Sequence, residues 1–350
     1  ISAPSAPSEA QYHKILRAFS APCAMQYQKT LRVLCALCGE KDMDLSVVIV
    51  NWNTRELLAQ CLEAVYAHPP DCAFDVWVVD NASSDGSAAM VRERFPQVHL
   101  IENRENVGFA RANNQAIRQS TGRYVLLLNS DAFVQPQTIN RLLSFMESMP
   151  HAGAAGARTL NPDGTPQECY GRVPTVLREL FDIPRWEAFL SRRLGRRVYG
   201  VPLPFERPFE VGTVTASCLI VRRYTIEKVG MLDERFFMYS EEVDWYVRMQ
   251  RAGWKLFCVP AACAIHHWGG SASLNREAMI LQLYRSKYLY FRKHGGKWAE
   301  ALLRYGLAVR FAAKGLFYRC RSSSEARRTA ELQFRLLREM LHPVGVLDGQ

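Results

Sequence analysis

The run Leu45-Ser46-Val47-Val48-Ile49-Val50 is apolar and β-branched almost without interruption, the pattern of a strand covered on both faces, as in a parallel sheet. Such a strand needs helices on either side, and the next segments supply them. Asn51-Trp52-Asn53-Thr54 breaks the run, and residues 55–66 read as a helix with Thr54 as its N-cap. Residues 74–79 repeat the buried-strand pattern and stop at Asp80. A polar turn, Asn81-Ala82-Ser83-Ser84-Asp85-Gly86-Ser87, leads into a helix over 88–95. A strand over 98–102 and a helix over 108–120 follow, and a strand over 123–128 runs into Asn129-Ser130-Asp131. This alternation predicts an α/β fold with a Rossmann-like, mostly parallel sheet flanked by helices. In such sheets ligands bind beyond the carboxyl ends of the strands, and those ends here carry Asn51, Asp80 and Asp131.

The pattern is weaker further on. Residues 150–208 are rich in Pro, Gly and Arg and predict a variable loop region that helps shape a second binding site. The pattern then predicts a strand over 211–221, helices over 223–229 and 241–252, and strands over 256–259 and 262–265. From residue 277 the tail reads as helical.

With 350 residues, 48% hydrophobic and 22% charged, the chain can bury one large core with appendages and is not intrinsically disordered. Residues 1–42, which precede Met43, begin rich in Ser, Pro and Ala and predict a poorly ordered extension. The ten cysteines are scattered, and Cys218 and Cys258 sit inside apolar runs. They read as buried small hydrophobes of a reduced cytosolic protein. Cys35 and Cys38 form a C-x-x-C with no second pair at zinc-site spacing. No apolar stretch reaches the roughly 18 residues of a membrane span, and no secretory signal is visible. Net charge is +10, and from Arg276 onward 15 Lys+Arg stand against 6 Asp+Glu, so the tail alone carries +9. Two readings of it stay open: an anionic partner, membrane lipid or nucleic acid, or a solvated helical face.

Three constellations carry candidate chemistry. Asp80 and Asp85 flank the polar turn, where a carboxylate can accept from a base N–H or a ribose hydroxyl; an Asx turn with Asp85 capping the next helix is the structural alternative. Asp131, after a run of leucines, is a hard oxygen ligand suited to Mg²⁺ or Mn²⁺ on a diphosphate. The segment Phe236-Phe237-Met238-Tyr239-Ser240-Glu241-Glu242-Val243-Asp244-Trp245 places three acids near a helix start. Helix-dipole capping explains one or two of them, and one placed as a general base could take a proton from a hydroxyl. His266-His267, before Trp268-Gly269-Gly270, offers a metal ligand or a structural pair.

In this order the motifs resemble the inverting family 2 glycosyltransferases of GT-A (nucleotide-diphospho-sugar transferase) fold, and within them the bacterial rhamnosyltransferase-like subgroup. Val47-Val48-Ile49-Val50-Asn51-Trp52-Asn53 matches the family's first strand and nucleotide loop, and Val79-Asp80-Asn81-Ala82-Ser83-Ser84-Asp85-Gly86-Ser87 matches its second. Asn106-Val107-Gly108-Phe109-Ala110-Arg111-Ala112-Asn113-Asn114 matches the stretch beside the nucleotide-sugar. Asn129-Ser130-Asp131 sits where the family has Asp-x-Asp, Glu241-Glu242 at its Glu-Asp motif, and His266 at its late metal-ligand histidine. Two departures stand out: Asn129 replaces the first acid of the metal motif, and the base position is Glu242 where many relatives have Asp.

The resemblance implies a domain at 43–275, with a nucleotide half at 43–150, an acceptor half at 151–275 and a basic helical extension at 276–350. It implies a nucleotide-sugar site at Asn51, Asn53, Asp80, Asn81, Asp85, Asn106, Gly108, Arg111 and Asn129. Asp131 and His266 would hold Mg²⁺ or Mn²⁺, and Glu242 would act as base, with Asp244 as the competing candidate. The implied acceptor is a glycan or polyprenyl-linked glycan of cell-envelope synthesis, met in the cytoplasm at the inner face of the cytoplasmic membrane. There Leu302, Leu303, Tyr305, Leu307, Phe311, Leu316 and Phe317, among Arg304, Arg310 and Lys314, would form an interfacial helix or pack onto the catalytic domain. Among rivals, a sugar nucleotidyltransferase would show a Gly-rich basic loop after its first strand, and a dehydrogenase would show G-x-G-x-x-G. A nucleic-acid-binding role for the tail is not expected, because phosphate backbones would avoid the acidic strand ends.

Overall fold

The structure, a computed structural model, describes residues 43–181, 207–267, 276–321 and 323–341. The N-terminal extension, Cys35 and Cys38, and the Trp268-Gly269-Gly270 that follows the histidines lie outside the described residues. The expected alternation is present in β1 (Leu45–Asn51), α1 (Arg55–Ala67), β2 (Phe74–Asp80), α2 (Ser87–Arg94), β3 (His99–Glu102), α3 (Phe109–Gln119) and β4 (Tyr124–Asn129). Next come β5 (Ala132–Val134), α4 (Thr138–Ser148), β6 (Ala152–Leu160), β7 (Tyr170–Gly171), α5 (Val176–Leu180), β8 (Phe209–Val211), β9 (Thr213–Val214) and β10 (Cys218–Arg222). The chain continues through α6 (Arg223–Val229), α7 (Glu241–Arg251), β11 (Lys255–His266), α8 (Arg276–Arg319) and α9 (Ser324–Leu341).

The described residues form a main sheet in the order β3-β2-β1-β4-β10-β6-β11-β5, with β8 also paired to β11. The half from β3 to β4 is parallel throughout. In the other half β10 runs antiparallel to β4 and β6, and β5 antiparallel to β11. Period-two alternation splits each strand between two cores. Leu45, Val47 and Ile49 meet Leu58, Leu62, Met90 and Leu142 on one face, and Val48 and Val79 meet Ala116, Trp245 and Met249 on the other.

Three expectations about elements change. Residues 150–208 are not loop throughout, because β6 is a buried interior strand between β10 and β11. Its Ala/Gly composition hides a strand because the sheet is crowded there: a Cβ on Gly156 would come within 2.1 Å of Val214 Cγ2. The single strand expected over 211–221 breaks into β8, β9 and β10. The two strands expected over 256–265 are one, β11, with a register shift between Val259 and Cys263.

The tail is helical, with Gly296 at φ 80 interrupting α8. It docks through a third cluster in which Tyr288, Phe291, Leu303, Leu307 and Phe311 meet Phe236 and Val247. The two fates foreseen for its apolar residues therefore divide between faces. Leu303, Leu307 and Phe311 are buried, whereas Leu302, Tyr305, Leu316 and Phe317 are exposed. Arg304 is buried and paired with Glu300.

Candidate active site

The register sets Asn51 opposite Asp80 and Val50 opposite Asn129, so the carboxyl ends of β1, β2 and β4 are level. Asn51 and Asp80 are buried there and bound to each other, Asn51 Nδ2 donating to Asp80 Oδ1 (2.9 Å) and to Ser83 Oγ (3.1 Å). The Ser83 amide donates to Asp80 Oδ2 (2.9 Å). Asn53, in the left-handed region at φ 52, accepts from the Ser84 amide (2.7 Å). Thr54 does not cap α1 with its side chain as expected; its hydroxyl donates to Asn51 Oδ1 (2.6 Å). The first amide of α1, on Arg55, goes to Asp85 Oδ2 instead (2.8 Å). Partial burial pulls the Asp85 carboxyl upward, but hydrogen bonds from Ser87 and the Arg55 amide hold it below the usual range.

Asn81 extends this lattice, donating to Asn106 Oδ1 (3.2 Å) and the Gly108 carbonyl (3.2 Å) and accepting from Asn103 (2.9 Å). Gly108 has φ +84, and a Cβ there would come within 2.4 Å of the Phe237 carbonyl oxygen, which also accepts the Phe109 amide (2.7 Å). Only glycine permits that seam between α3 and the loop entering α7. Arg111, in the first turn of α3, is exposed.

After β4 the turn Ser130-Asp131 enters β5, whose register on β11 sets Ala132 opposite His266. That pairing brings Asp131 Oδ1 to 3.2 Å from His266 Nε2. Asn129 Nδ2 stands 3.5 Å from the same nitrogen. Gln167 grips the histidine from the other side: its Nε2 donates to the His266 carbonyl (2.7 Å), leaving Oε1 to accept from Nδ1–H (3.0 Å). Nε2 thus faces a carboxylate oxygen, and a proton on that nitrogen or a cation between the two groups can bridge them. Adjacent octahedral ligands at about 2.1 Å from a metal lie about 3 Å apart, so Asp131 and His266 suit two neighbouring positions of a small divalent cation. Among the described residues no cluster of three or more His, Cys, Asp and Glu surrounds the pair. Substrate oxygens and water would complete the shell.

The third group opens α7. Tyr239 and Ser240, both non-glycine, sit at φ 70 and φ 66, a strained pair that delivers Glu241 and Glu242. Burial raises both carboxyls, and the Glu242 charge lifts Glu241 further. Glu241 Oε2, Glu242 Oε2 and Tyr246 Oη are buried with no hydrogen-bond partner among the described residues. Glu242 also lines a cavity of about 250 Å³ with Glu168, Tyr170, Arg172, Arg178 and Thr215. The chain links this cavity to the Asp131–His266 pair: Gln167 precedes Glu168 of the wall, and Ser217, whose carbonyl accepts the Asn129 amide (3.0 Å), has its hydroxyl 3.2 Å from that of Thr215 in the wall. Asp244 differs, being fully buried and bound by Arg248 (2.9 Å), Lys293 (2.6 Å) and His294 (2.7 Å).

The structure thus gathers Asn129, Asp131 and His266 in one place, links Asn51, Asn53, Asp80 and Asp85 in a second, and sets Glu242 in the wall of a third. Gln167, Lys293 and His294 escaped the sequence reading. No local pattern marks Gln167, and Lys293-His294 lies inside a basic tail whose other charges look alike.

Residues 46–230 match the profile of Glycosyl transferase family 2. An N-acetylglucosaminyl-diphospho-decaprenol L-rhamnosyltransferase of Mycobacterium tuberculosis is 32% identical over 259 residues, covering 67% of this chain and 81% of that one. Among solved structures, the mannosyltransferase PcManGT from Pyrobaculum calidifontis, in complex with GDP-Man and Mn²⁺, superposes with TM-score 0.51 at 18% identity, covering 95% of this chain and 97% of that one. GalNAc-T7 with UDP, GalNAc and Mn²⁺ superposes with TM-score 0.56 at 13% identity, covering 87% of this chain and 57% of that one. Both likenesses speak for the fold.

Proposed function

The chain belongs to glycosyl transferase family 2, and from that premise we propose that it transfers a sugar from a nucleoside-diphosphate donor, with inversion, to a hydroxyl of a lipid-linked glycan in cell-envelope synthesis. Membership decides between sugar transfer and the nucleotidyl transfer considered from sequence. Rhamnose and a prenyl-diphosphate-linked acceptor are the favoured substrates, following the activity for which the mycobacterial relative is named. Such an acceptor would be met at the inner face of the cytoplasmic membrane. Among the described residues no helix is long and apolar enough to cross one.

The observation that carries the reading is the pairing of Asp131 with His266 across β5 and β11, with Gln167, which holds His266, next in the chain to Glu168 of the cavity that also contains Glu242. The donor would lie across the level strand ends. Each Asp80 oxygen already accepts one hydrogen bond and keeps a lone pair for a ribose hydroxyl or base N–H. Asp131 and His266 would hold Mg²⁺ or Mn²⁺, which supplies positive charge to the departing diphosphate. Glu242 would take the acceptor hydroxyl's proton on Oε2, which has no hydrogen-bond partner among the described residues. Asp244 is poorly placed for that step, since three cationic or hydrogen-bonding side chains already occupy its carboxylate.

A panel of nucleoside-diphosphate sugars, each with Mn²⁺ and with Mg²⁺, tests the reading by thermal shift and by release of nucleoside diphosphate. At least one donor should stabilise the protein only with metal, and Asp131→Ala should erase that metal dependence. Absence of a shift with every donor would sink it.

A further inference from the structure

The helix α8 is apolar on two opposite sides, and among the described residues only one of them is covered. Leu303, Leu307 and Phe311 fill the cluster beneath it. On the other side Trp298, Leu302, Tyr305, Val309 and Leu316 recur at spacings of four, three, four and seven, one face of a helix, and stand between 56% (Leu302) and 88% (Trp298) exposed. Scattered exposed apolar residues are ordinary, but a contiguous row marks an interaction surface. Leu177 in α5 and Phe181 just after it are also exposed. The two helices form one unit: a Cβ on Gly306 would meet Leu180 at 2.4 Å, and Glu179 binds Lys287 (2.6 Å).

We propose that this α8–α5 face seats the protein on an anionic lipid surface, Trp298, Leu302, Tyr305, Val309 and Leu316 entering the headgroup boundary. Two observations choose the occupant. Between residues 297 and 321 the one acid is Glu300, which is buried against Arg304, whereas Lys297, Arg319 and Arg321 are exposed. Anionic headgroups answer that charge; a second copy in a twofold dimer would set the same cations against themselves. The second observation is position. Arg178 and Glu179 of α5 line the cavity that contains Glu242, so the helix packed against α8 is also a wall of the proposed acceptor site. An acceptor anchored in the bilayer would pass from that face into the cavity without crossing the molecule. The inference rests on the lipid-linked acceptor proposed above.

The test uses the full chain and a triple variant, Leu302→Glu, Val309→Glu and Leu316→Glu, at positions outside the core and the catalytic groups. Co-sedimentation is measured with phosphatidylglycerol/phosphatidylcholine vesicles and with pure phosphatidylcholine. The unaltered chain should partition onto the anionic vesicles, salt should weaken binding, and the variant should lose at least about tenfold in partitioning. Equal partitioning of the two proteins overturns the proposal. So does a dimer in light scattering that the variant abolishes, with no vesicle binding by either protein. Turnover with a water-soluble acceptor fragment is measured alongside. Transfer preserved there with failed vesicle binding refutes the docking face alone, whereas absent transfer with intact vesicle binding refutes the catalytic reading.

Discussion

The loops after β1 and β2 and the start of α7 both gather polar side chains at the site, and they treat them in opposite ways. Around Asn51, Asp80, Asn81 and Asp85 the carboxylates and amides are spent on one another and on loop amides. At Glu241, Glu242 and Tyr246 three polar atoms, Glu241 Oε2, Glu242 Oε2 and Tyr246 Oη, are buried without partners among the described residues, behind two strained residues. Native proteins satisfy nearly all buried polar groups, so an unsatisfied cluster needs a reason. The first region is finished before any ligand arrives, and its ligand contacts draw on leftover lone pairs. The second holds tension that an acceptor hydroxyl can relieve.

The largest expected effect tests the unsatisfied side. Glu242→Gln keeps the shape but cannot take a proton, so kcat should fall by about 10²–10⁴ while donor affinity stays within about twofold. Stopped transfer assays and donor titration calorimetry would read the two quantities. Because burial raises the Glu242 carboxyl, the acid limb of kcat/KM should also lie above the ordinary glutamate range, with activity falling as pH drops through it. Retained transfer in the Gln variant would move the base to Asp244 and dissolve the contrast.

A smaller effect concerns the support of the Asp131–His266 pair beside the Glu242 cavity. Gln167→Leu leaves Asp131 and His266 in place but frees the ring to turn, since both hydrogen bonds to His266 are lost. Removing such a support weakens metal affinity by about 10–100-fold. Mn²⁺ titration followed by electron paramagnetic resonance, with nucleoside diphosphate present, would measure it. Unchanged affinity would show that strand pairing alone sets the histidine.

Legibility in sequence follows the same divide. The parallel half was readable because buried strands there are runs of large apolar residues that end on polar ones, as Leu45–Asn51 and Phe74–Asp80 do. The strand β6 was not, because close approach by Val214 selects Ala and Gly, which carry no strand signal. Resemblance named Asp131 and His266 as a pair; the cause of their meeting, the β5–β11 register, spans well over a hundred residues of chain. The tail shows a different limit. A helix apolar on both sides has no sequence mark for the side that faces the protein, and only the position of Phe236 and Val247 decides it.

Smaller still is the effect on the satisfied side. Asn51→Ala removes the side-chain donor to Asp80 Oδ1 and the acceptor of the Thr54 hydroxyl, which keeps Ser130 Oγ (2.9 Å); the loss should cost about 1–3 kcal/mol of folding stability in denaturant titration. A loss of donor binding with no loss of stability would show that Asn51 serves the ligand rather than the loop.

The subtlest prediction has the opposite sign and sharpens the comparison most. Burial, then the Glu242 charge, raises the Glu241 carboxyl well above its ordinary value. A folded-state pKa above the unfolded one means that the native state holds its proton after the unfolded chain has released it. Stability from this group is therefore complete below the unfolded value and declines as pH rises toward and through the folded one. Glu241→Gln removes the titration and keeps an N–H to offer Glu242. Its melting temperature should approach that of the unaltered protein at about pH 4 and exceed it at about pH 8. Substitution would then stabilise the protein at the start of α7 and destabilise it at Asn51, though both positions are polar and buried. If Glu241→Gln instead lowers the melting temperature across the whole range, Glu241 is a satisfied structural acid, and the two regions are built alike.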